Sequence, residues 1–350
     1  MDLSTTDYRI IKMTKPLSVQ QFLEKAKTQP IIDVRSPAEF ERGHIVGAVN
    51  IPLFENHERA EVGTRYKKVG KESAFLLGLD IVGSKLSGFV KKANKIAPNR
   101  EVLVHCWRGG MRSGSFATLL DSSGMKVSIM IGGYKAYRNF ILDEFCKPLT
   151  IIVLGGKTGS GKTEVLCELE KQGEQILDLE GLANHKGSSF GMLGQAPQPM
   201  TEYFENMLYE KLSKLDTSHR IWIEDESKNV GCCNIPEGLW QQMRVANVVY
   251  IDVSKEIRIS RLMNEYAQFS FEELKSSTDR IAKRLGGQQH KEALDALVKG
   301  DFSVGTDIAL TYYDKAYLHG LSHREPSKIK TFEVNENNPG ATAKRLIDGF

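Results

Sequence analysis

Two short stretches of the sequence hold residue types whose spacing can do chemistry. In the first, His105 and Cys106 are followed by Trp107, Arg108, Gly109, Gly110, Met111 and Arg112. A cysteine attacks as its thiolate, so a reactive one needs a depressed pKa. The means are at hand: glycines that let backbone N–H groups curl over the sulfur, Arg108 and Arg112 nearby, and a helix expected to open at Ser113 with its positive end toward Cys106. In the second stretch, Gly156, Lys157, Thr158, Gly159, Ser160, Gly161, Lys162 and Thr163 fit the phosphate-loop pattern. There backbone N–H groups and a helix N-terminus wrap phosphates, Lys162 neutralises them and Thr163 can ligate Mg²⁺.

Further polar groups stand near these two. Ile221, Trp222 and Ile223 lead to Glu224, Asp225 and Glu226, so a strand delivers carboxylates to its C-terminal end, where Glu224 or Asp225 can hold a metal through water. Asp178 and Glu180 follow another apolar run and read either as a capped loop or as a substrate contact. Arg258 and Arg261, one helical turn apart, reach a phosphate or pair at the surface. Tyr312, Tyr313, Tyr317 and His319 suit either base stacking or a packed helix face. The five cysteines show no Cys-x-x-Cys spacing, and adjacent Cys232 and Cys233 suit neither a metal nor an easy disulfide, so no certain metal site is expected.

These residues need a scaffold, and the hydrophobic pattern describes one. Before residue 148, short apolar runs at 30–34, 102–105 and 127–131 alternate with helical patterns at 19–27, 113–122 and 134–145. Such alternation predicts an α/β domain with a parallel sheet and helices on both faces. Residues 55–97 read as a largely helical insertion in this domain, 1–147. Pro148 marks the boundary, since the residue before a proline avoids helix. In 148–350 the alternation restarts, with strands at 150–154, 175–179, 220–224 and 247–252 and a helix from Lys162. Beyond Lys255 helices are expected at 257–267, 271–285, 291–299 and 304–318, so the second domain reads as a P-loop α/β domain with a helical C-terminal part.

The 350 residues, 41% hydrophobic and 26% charged, are enough for two domains with their own cores. A net charge of +3 neither proposes nor excludes a nucleic-acid partner. Basic clusters at Arg65, Lys67, Lys68 and Lys71, at Lys91, Lys92 and Lys95, and around His323, Arg324, Lys328 and Lys330 read as solvated faces. Residues Met1 to Asp7 lack the order of a signal peptide and no apolar run is long enough to span a bilayer. The expectation is therefore a cytoplasmic protein without a membrane role, its oligomeric state open and a monomer the default.

His105, Cys106 and Arg112 also match the His-Cys-five-residues-Arg spacing of cysteine-dependent phosphatases. Upstream, Asp33, Val34, Arg35, Ser36, Pro37, Glu39, Phe40, Gly43, His44 and Ile45, and downstream Gly132 to Tyr137, resemble the rhodanese superfamily, whose cysteine carries sulfur or selenium and whose fold some phosphatases share. Taken with residues 106–113, 155–163, 177–191 and 224–227, the chain resembles the tRNA 2-selenouridine synthase family nearly end to end.

That resemblance implies an enzyme that exchanges sulfur for selenium in 2-thiouridine at the wobble position of the tRNAs for Lys, Glu and Gln. It implies two reactions: S-geranylation with geranyl diphosphate, then displacement of the geranylthio group by selenium from selenophosphate, carried on Cys106 as an S-selanylcysteine beside Arg108 and Arg112. Since this chemistry needs no ATP, geranyl diphosphate becomes the candidate for the phosphate loop, with a nucleotide still open. The residues themselves also suit an RNA-independent sulfurtransferase joined to a small-molecule kinase, or an RNA-binding module with relic loops.

Overall fold

The computed structural model describes residues 15–266 and 268–349. The N-terminal residues read above for targeting, and Ala267, expected to close a helix, lie outside the described residues. The chain divides into two compact units, Met1–Asp143 and Glu144–Phe350. The division falls a few residues earlier than the one read at Pro148, because Phe145 is fully buried in the core of the second unit.

In the first unit, β1 (Lys15–Leu17), β2 (Ile31–Asp33), β3 (Val49–Asn50), β4 (Glu101–His105) and β5 (Lys126–Met130) make an all-parallel sheet in the order β1-β5-β4-β2-β3. The pleat sends Val102 and Val104 into a core with Ile32, Phe89, Phe116 and Leu120, while Leu103 and His105 point to the opposite face, where Phe22 meets His105 edge-on. Both faces are thus covered, which explains why β4 reads as a continuous apolar run rather than an alternating one. Helices Asn56–Lys68, Lys71–Gly83 and Leu86–Ile96 fill the stretch between β3 and β4. Strands β1 and β3 were too short to show a period in the sequence.

In the second unit, β6 (Ile151–Gly155), β7 (Gln175–Leu177), β8 (Ile221–Glu224), β11 (Asn247–Val253) and β12 (Ile329–Val334) form a second parallel sheet, ordered β12-β11-β6-β8-β7; β9 (Asn229–Val230) and β10 (Cys233–Asn234) form a small antiparallel hairpin. Ile151 and Val153 face one core, Ile152 and Leu154 the other. The chain leaves β6 to both sides, so the strand order reverses there, and the crevice beyond its carboxyl end is where such sheets bind ligands. Helices dominate the C-terminal part as expected, and one strand the sequence reading lacked joins them. β12 pairs with β11 over six residues and helix Pro339–Asp348 packs behind it. The segment 271–285 splits into Phe271–Asp279 and Ala282–Leu285. Among the described residues no single helix is long and apolar enough to cross a membrane.

Candidate active sites

Cys106 stands where β4 ends, 3% exposed, and the loop after it turns into helix Met111–Ser122, two residues earlier than expected. Two glycines make the turn possible. Gly109 has φ +63° and a Cβ there would lie 2.6 Å from Met130 O; Gly133, at φ +59°, would collide with Cys106 O and Gly109 N. Tyr134 N–H and Lys135 N–H donate to Cys106 O and Trp107 O at 2.9 Å, clamping the loop from the segment that resembled rhodaneses. Burial pushes the Cys106 thiol up, but the Ser113 hydroxyl and N–H, the Arg112 charge and the Arg108 N–H outweigh it and hold the thiol below its ordinary range.

The Ser113 contact has a direction. Its Oγ lies 3.2 Å from Cys106 Sγ and 3.2 Å from Gly110 O, with one proton to share between them. A thiol donates to Ser113, which then donates to Gly110 O; a thiolate takes the Ser113 proton for itself. Arg112 does not face the sulfur alone: Glu39 accepts from it at 2.6 and 3.3 Å. Arg59, from the inserted helices, lies 3.9 Å from Glu39 and within electrostatic reach of Cys106. Sequence spacing gave no hint of Arg59, and Glu39 was read only as part of a motif.

The rest of that motif is scaffold. Arg35, fully buried, grips Asp33 at 2.6–3.0 Å, donates to Gly43 O at 2.7 Å and lies over the Tyr134 ring. Burial would raise the Asp33 carboxyl, but the hydrogen bonds and charge of Arg35 hold it below the carboxylate range. His105 is pointed away from the cysteine loop by the pleat, and burial lowers its pKa, so it stays neutral.

The phosphate loop follows β6. Gly159 and Gly161 adopt φ +78° and +81°, and a Cβ on Gly161 would run into the Arg261 guanidinium. Helix Lys162–Lys171 opens at the loop's end, and Lys162 Nζ donates to Gly156 O at 3.2 Å. Ser160 Oγ and Arg261 Nη1 are buried without a protein partner, two donors at the loop that an anion would satisfy. The loop thus fits an anion. Arg258 serves differently from either reading: it is buried, paired at 2.8 Å with both Asp314 oxygens, and braces Thr158 O at 3.2 Å.

The carboxylates separate by environment. Asp178 caps helix Leu179–Ala183 through Gly181 N–H at 2.6 Å. Glu224 is fully buried, accepts Leu179 N–H at 2.9 Å and, through burial and then the Asp178 and Glu180 charges, has its pKa raised well above normal. Asp225 lines the cleft but is held by Arg324 at 2.6 Å and by Tyr317 OH at 3.0 Å. Two further carboxylates line the cleft: Glu180, which accepts from Thr163 Oγ1 at 2.9 Å, and Glu226, raised by burial and by Glu180 beside it. The tyrosines are neither plain core nor bare stacking surface. Tyr317 OH accepts Gly156 N–H at 2.9 Å, Tyr313 OH meets Ser189, and both line the cleft with Tyr312; His319 is packed against His323 instead.

This cleft, about 950 Å³, adjoins a narrow apolar cavity of about 60 Å³. The two share Thr158, Ser188, Leu262, Tyr266 and Tyr313. Beyond them the cavity runs among Met263, Leu274, Leu297, Phe302 and Leu310. Its hydroxyls are mostly spent internally, Thr278 Oγ1 on Leu274 O and Tyr313 OH on Ser189.

A thiolate loop on one parallel-sheet unit and a phosphate loop on another define the class: a rhodanese-like domain joined to a P-loop domain. Residues 16–140 match the rhodanese-like domain model and residues 149–337 the tRNA 2-selenouridine synthase AAA domain model. The chain is 35% identical over 334 residues to a tRNA 2-selenouridine synthase of Pseudomonas syringae pv. syringae (strain B728a), covering 84% of this chain and 89% of that one. It is 39% identical over 339 residues to one of Sulfurovum sp. (strain NBC37-1), covering 86% and 90%. A solved rhodanese-related protein of Thermoplasma volcanium is 18% identical over 36% of this chain and 92% of its own, with a TM-score of 0.22. The chain belongs to the tRNA 2-selenouridine synthase family.

Proposed function

We propose that this protein converts 2-thiouridine at the wobble position of the tRNAs for Lys, Glu and Gln to 2-selenouridine in the cytoplasm, through S-geranylation at the phosphate loop and selenation through Cys106. The observation that carries the reading is the apolar cavity opening off the phosphate cradle. A ligand that spans the cradle and the apolar mouth formed by Leu262, Tyr266 and Tyr313 has phosphates at one end and a hydrocarbon tail at the other, as geranyl diphosphate does. A nucleoside base needs hydrogen-bonding partners along its edge, and this lining has few to offer.

In the first step the thiouridine sulfur attacks C1 of the geranyl group, the C–O bond breaks and diphosphate leaves. Lys162, Arg261, Ser160 and the loop N–H groups stabilise the charge that grows on the leaving oxygens. Thr163, Glu180 and Glu226 offer the hard oxygen set that Mg²⁺ takes; the ion, when bound, would neutralise diphosphate. In the second step Cys106 takes selenium from selenophosphate and passes it to C2; Arg108, Arg112 and Arg59 supply positive charge around it. Net, the C2–S and P–Se bonds break, the C2–Se bond and a P–O bond to water form, and geranylthiol and orthophosphate leave. The S–Se bond of the adduct stores two oxidising equivalents, drawn from and returned to a thiol–disulfide couple, so the exchange is redox-neutral.

The test separates the steps. Lys162→Ala should lose geranylation of thiolated tRNA while still selenating RNA that was geranylated beforehand, both read by nucleoside mass spectrometry. Equal loss of both activities contradicts the assignment of the phosphate loop.

A further inference from the structure

The first unit holds a cleft that a small selenium donor does not require. Helices Asn56–Lys68 and Lys71–Gly83 and the thiolate loop enclose about 730 Å³. Its floor is apolar, with Phe54 buried and Phe75 and Leu79 left 46% and 52% exposed. Its rim is cationic: Arg59, Lys67, Lys71 and Arg108 line it together with Arg112; among the described residues no carboxylate joins this lining, and Glu39 pairs with Arg112 and Arg59 from outside it. Arg108 and Gly110 of the loop that carries Cys106, with Met111 and Arg112 from the first turn of the helix after it, belong to this wall, so a molecule that fills the cleft touches that loop.

Selenophosphate is compact and wholly polar, and the apolar floor has nothing to offer it. Two large, half-exposed apolar side chains in one cleft with residues that follow the reactive cysteine mark a binding surface rather than incidental exposure. Lys67, Lys71 and Arg108, added to the pair that shares Glu39, leave the rim net positive and select a polyanion, while the floor selects a hydrocarbon. An RNA nucleotide bearing an alkylthio group has both. Resting on the two-step reading above, we propose that this cleft receives the geranylthio group of the modified wobble nucleotide, its hydrocarbon on Phe75 and Leu79 and its flanking phosphodiesters on the basic rim. The inserted helices are then the acceptor subsite for selenation. They hold C2 toward Cys106 while the C2–Se bond forms, and they take the geranylthiolate that departs with the C2–S electron pair.

The test uses the full-length protein, selenophosphate, and two RNA oligonucleotides carrying S-geranyl- or S-methyl-2-thiouridine. Wild type should form selenouridine from the S-geranyl RNA about tenfold faster or more, the discrimination that burial of a hydrocarbon supplies. Phe75→Gln with Leu79→Gln should erase that preference and leave the S-methyl rate within about twofold, since neutral amides on the floor disfavour the hydrocarbon and add no charge against the phosphodiesters. Leu79→Gln alone, the milder change, should lower the preference in the same direction, and alkylation of Cys106 at the wild-type rate will show that the loop is intact. A variant that keeps the preference, a wild type that shows none, or equal loss on both RNAs overturns the proposal. A wild type that selenates neither RNA refutes the two-step reading itself.

Discussion

Replacing Ser113 by alanine removes the group that most favours the Cys106 thiolate while changing little else. The hydroxyl is buried, 3.2 Å from the sulfur, and is the largest of the effects opposing the burial of Cys106. A hydrogen bond to a charged group contributes about 1.5–3 kcal/mol. Its loss corresponds to about one to two pKa units at roughly 1.4 kcal/mol each. The lower end applies here, because the hydroxyl also serves Gly110 O and must leave it to solvate the thiolate. The Ser113 and Arg108 N–H groups and the Arg112 charge remain. The rate of iodoacetamide alkylation against pH reads the titration directly. In wild type the rate should rise with pH through a midpoint below that of an ordinary thiol; in Ser113→Ala the same curve should shift about one unit up. An unmoved midpoint, or one moved down, refutes the argument that this hydroxyl sets the ionisation.

Glu39→Gln should act in the opposite direction. It frees Arg112 and Arg59 from their carboxylate partner, so the alkylation midpoint falls further and the rate at neutral pH rises. In the second unit, Gly305 borders the apolar cavity and a side chain there would point toward Leu297 and Ala293. Gly305→Leu should therefore shorten the cavity and raise the KM for geranyl diphosphate about tenfold, with a shorter prenyl diphosphate affected less; steady-state kinetics with both donors checks it.

Much of the fold was legible because buried parallel strands announce themselves. β4, β6, β8 and β11 are apolar runs bounded by polar turns, and the glycines after β4 and β6 follow from what each loop must wrap. β12 was hidden because it is an edge strand: Lys330, Thr331 and Glu333 face solvent and leave only Val334 fully buried, so its pattern looked like a charged tail. The site was legible where its residues are neighbours in sequence and illegible where they are not. Asp225 looks like an open carboxylate until Arg324, 99 residues later, closes on it. Tyr317 meets the phosphate loop across 161 residues, and Arg59 reaches the thiolate loop from an insertion. Glu224 and Glu226 differ by two positions, which in a strand means opposite fates only because the strand ends between them: one is sealed in the core and the other opens on the cleft.

The claim on which all of this turns is that Cys106 hands on selenium after the phosphate-loop unit has prepared the sulfur. Cys106→Ser, given thiolated tRNA, geranyl diphosphate and selenophosphate together, measures it in one digestion and nucleoside mass spectrum. S-geranyl-2-thiouridine should accumulate and 2-selenouridine should be absent; selenouridine formed at the wild-type rate contradicts the role of Cys106.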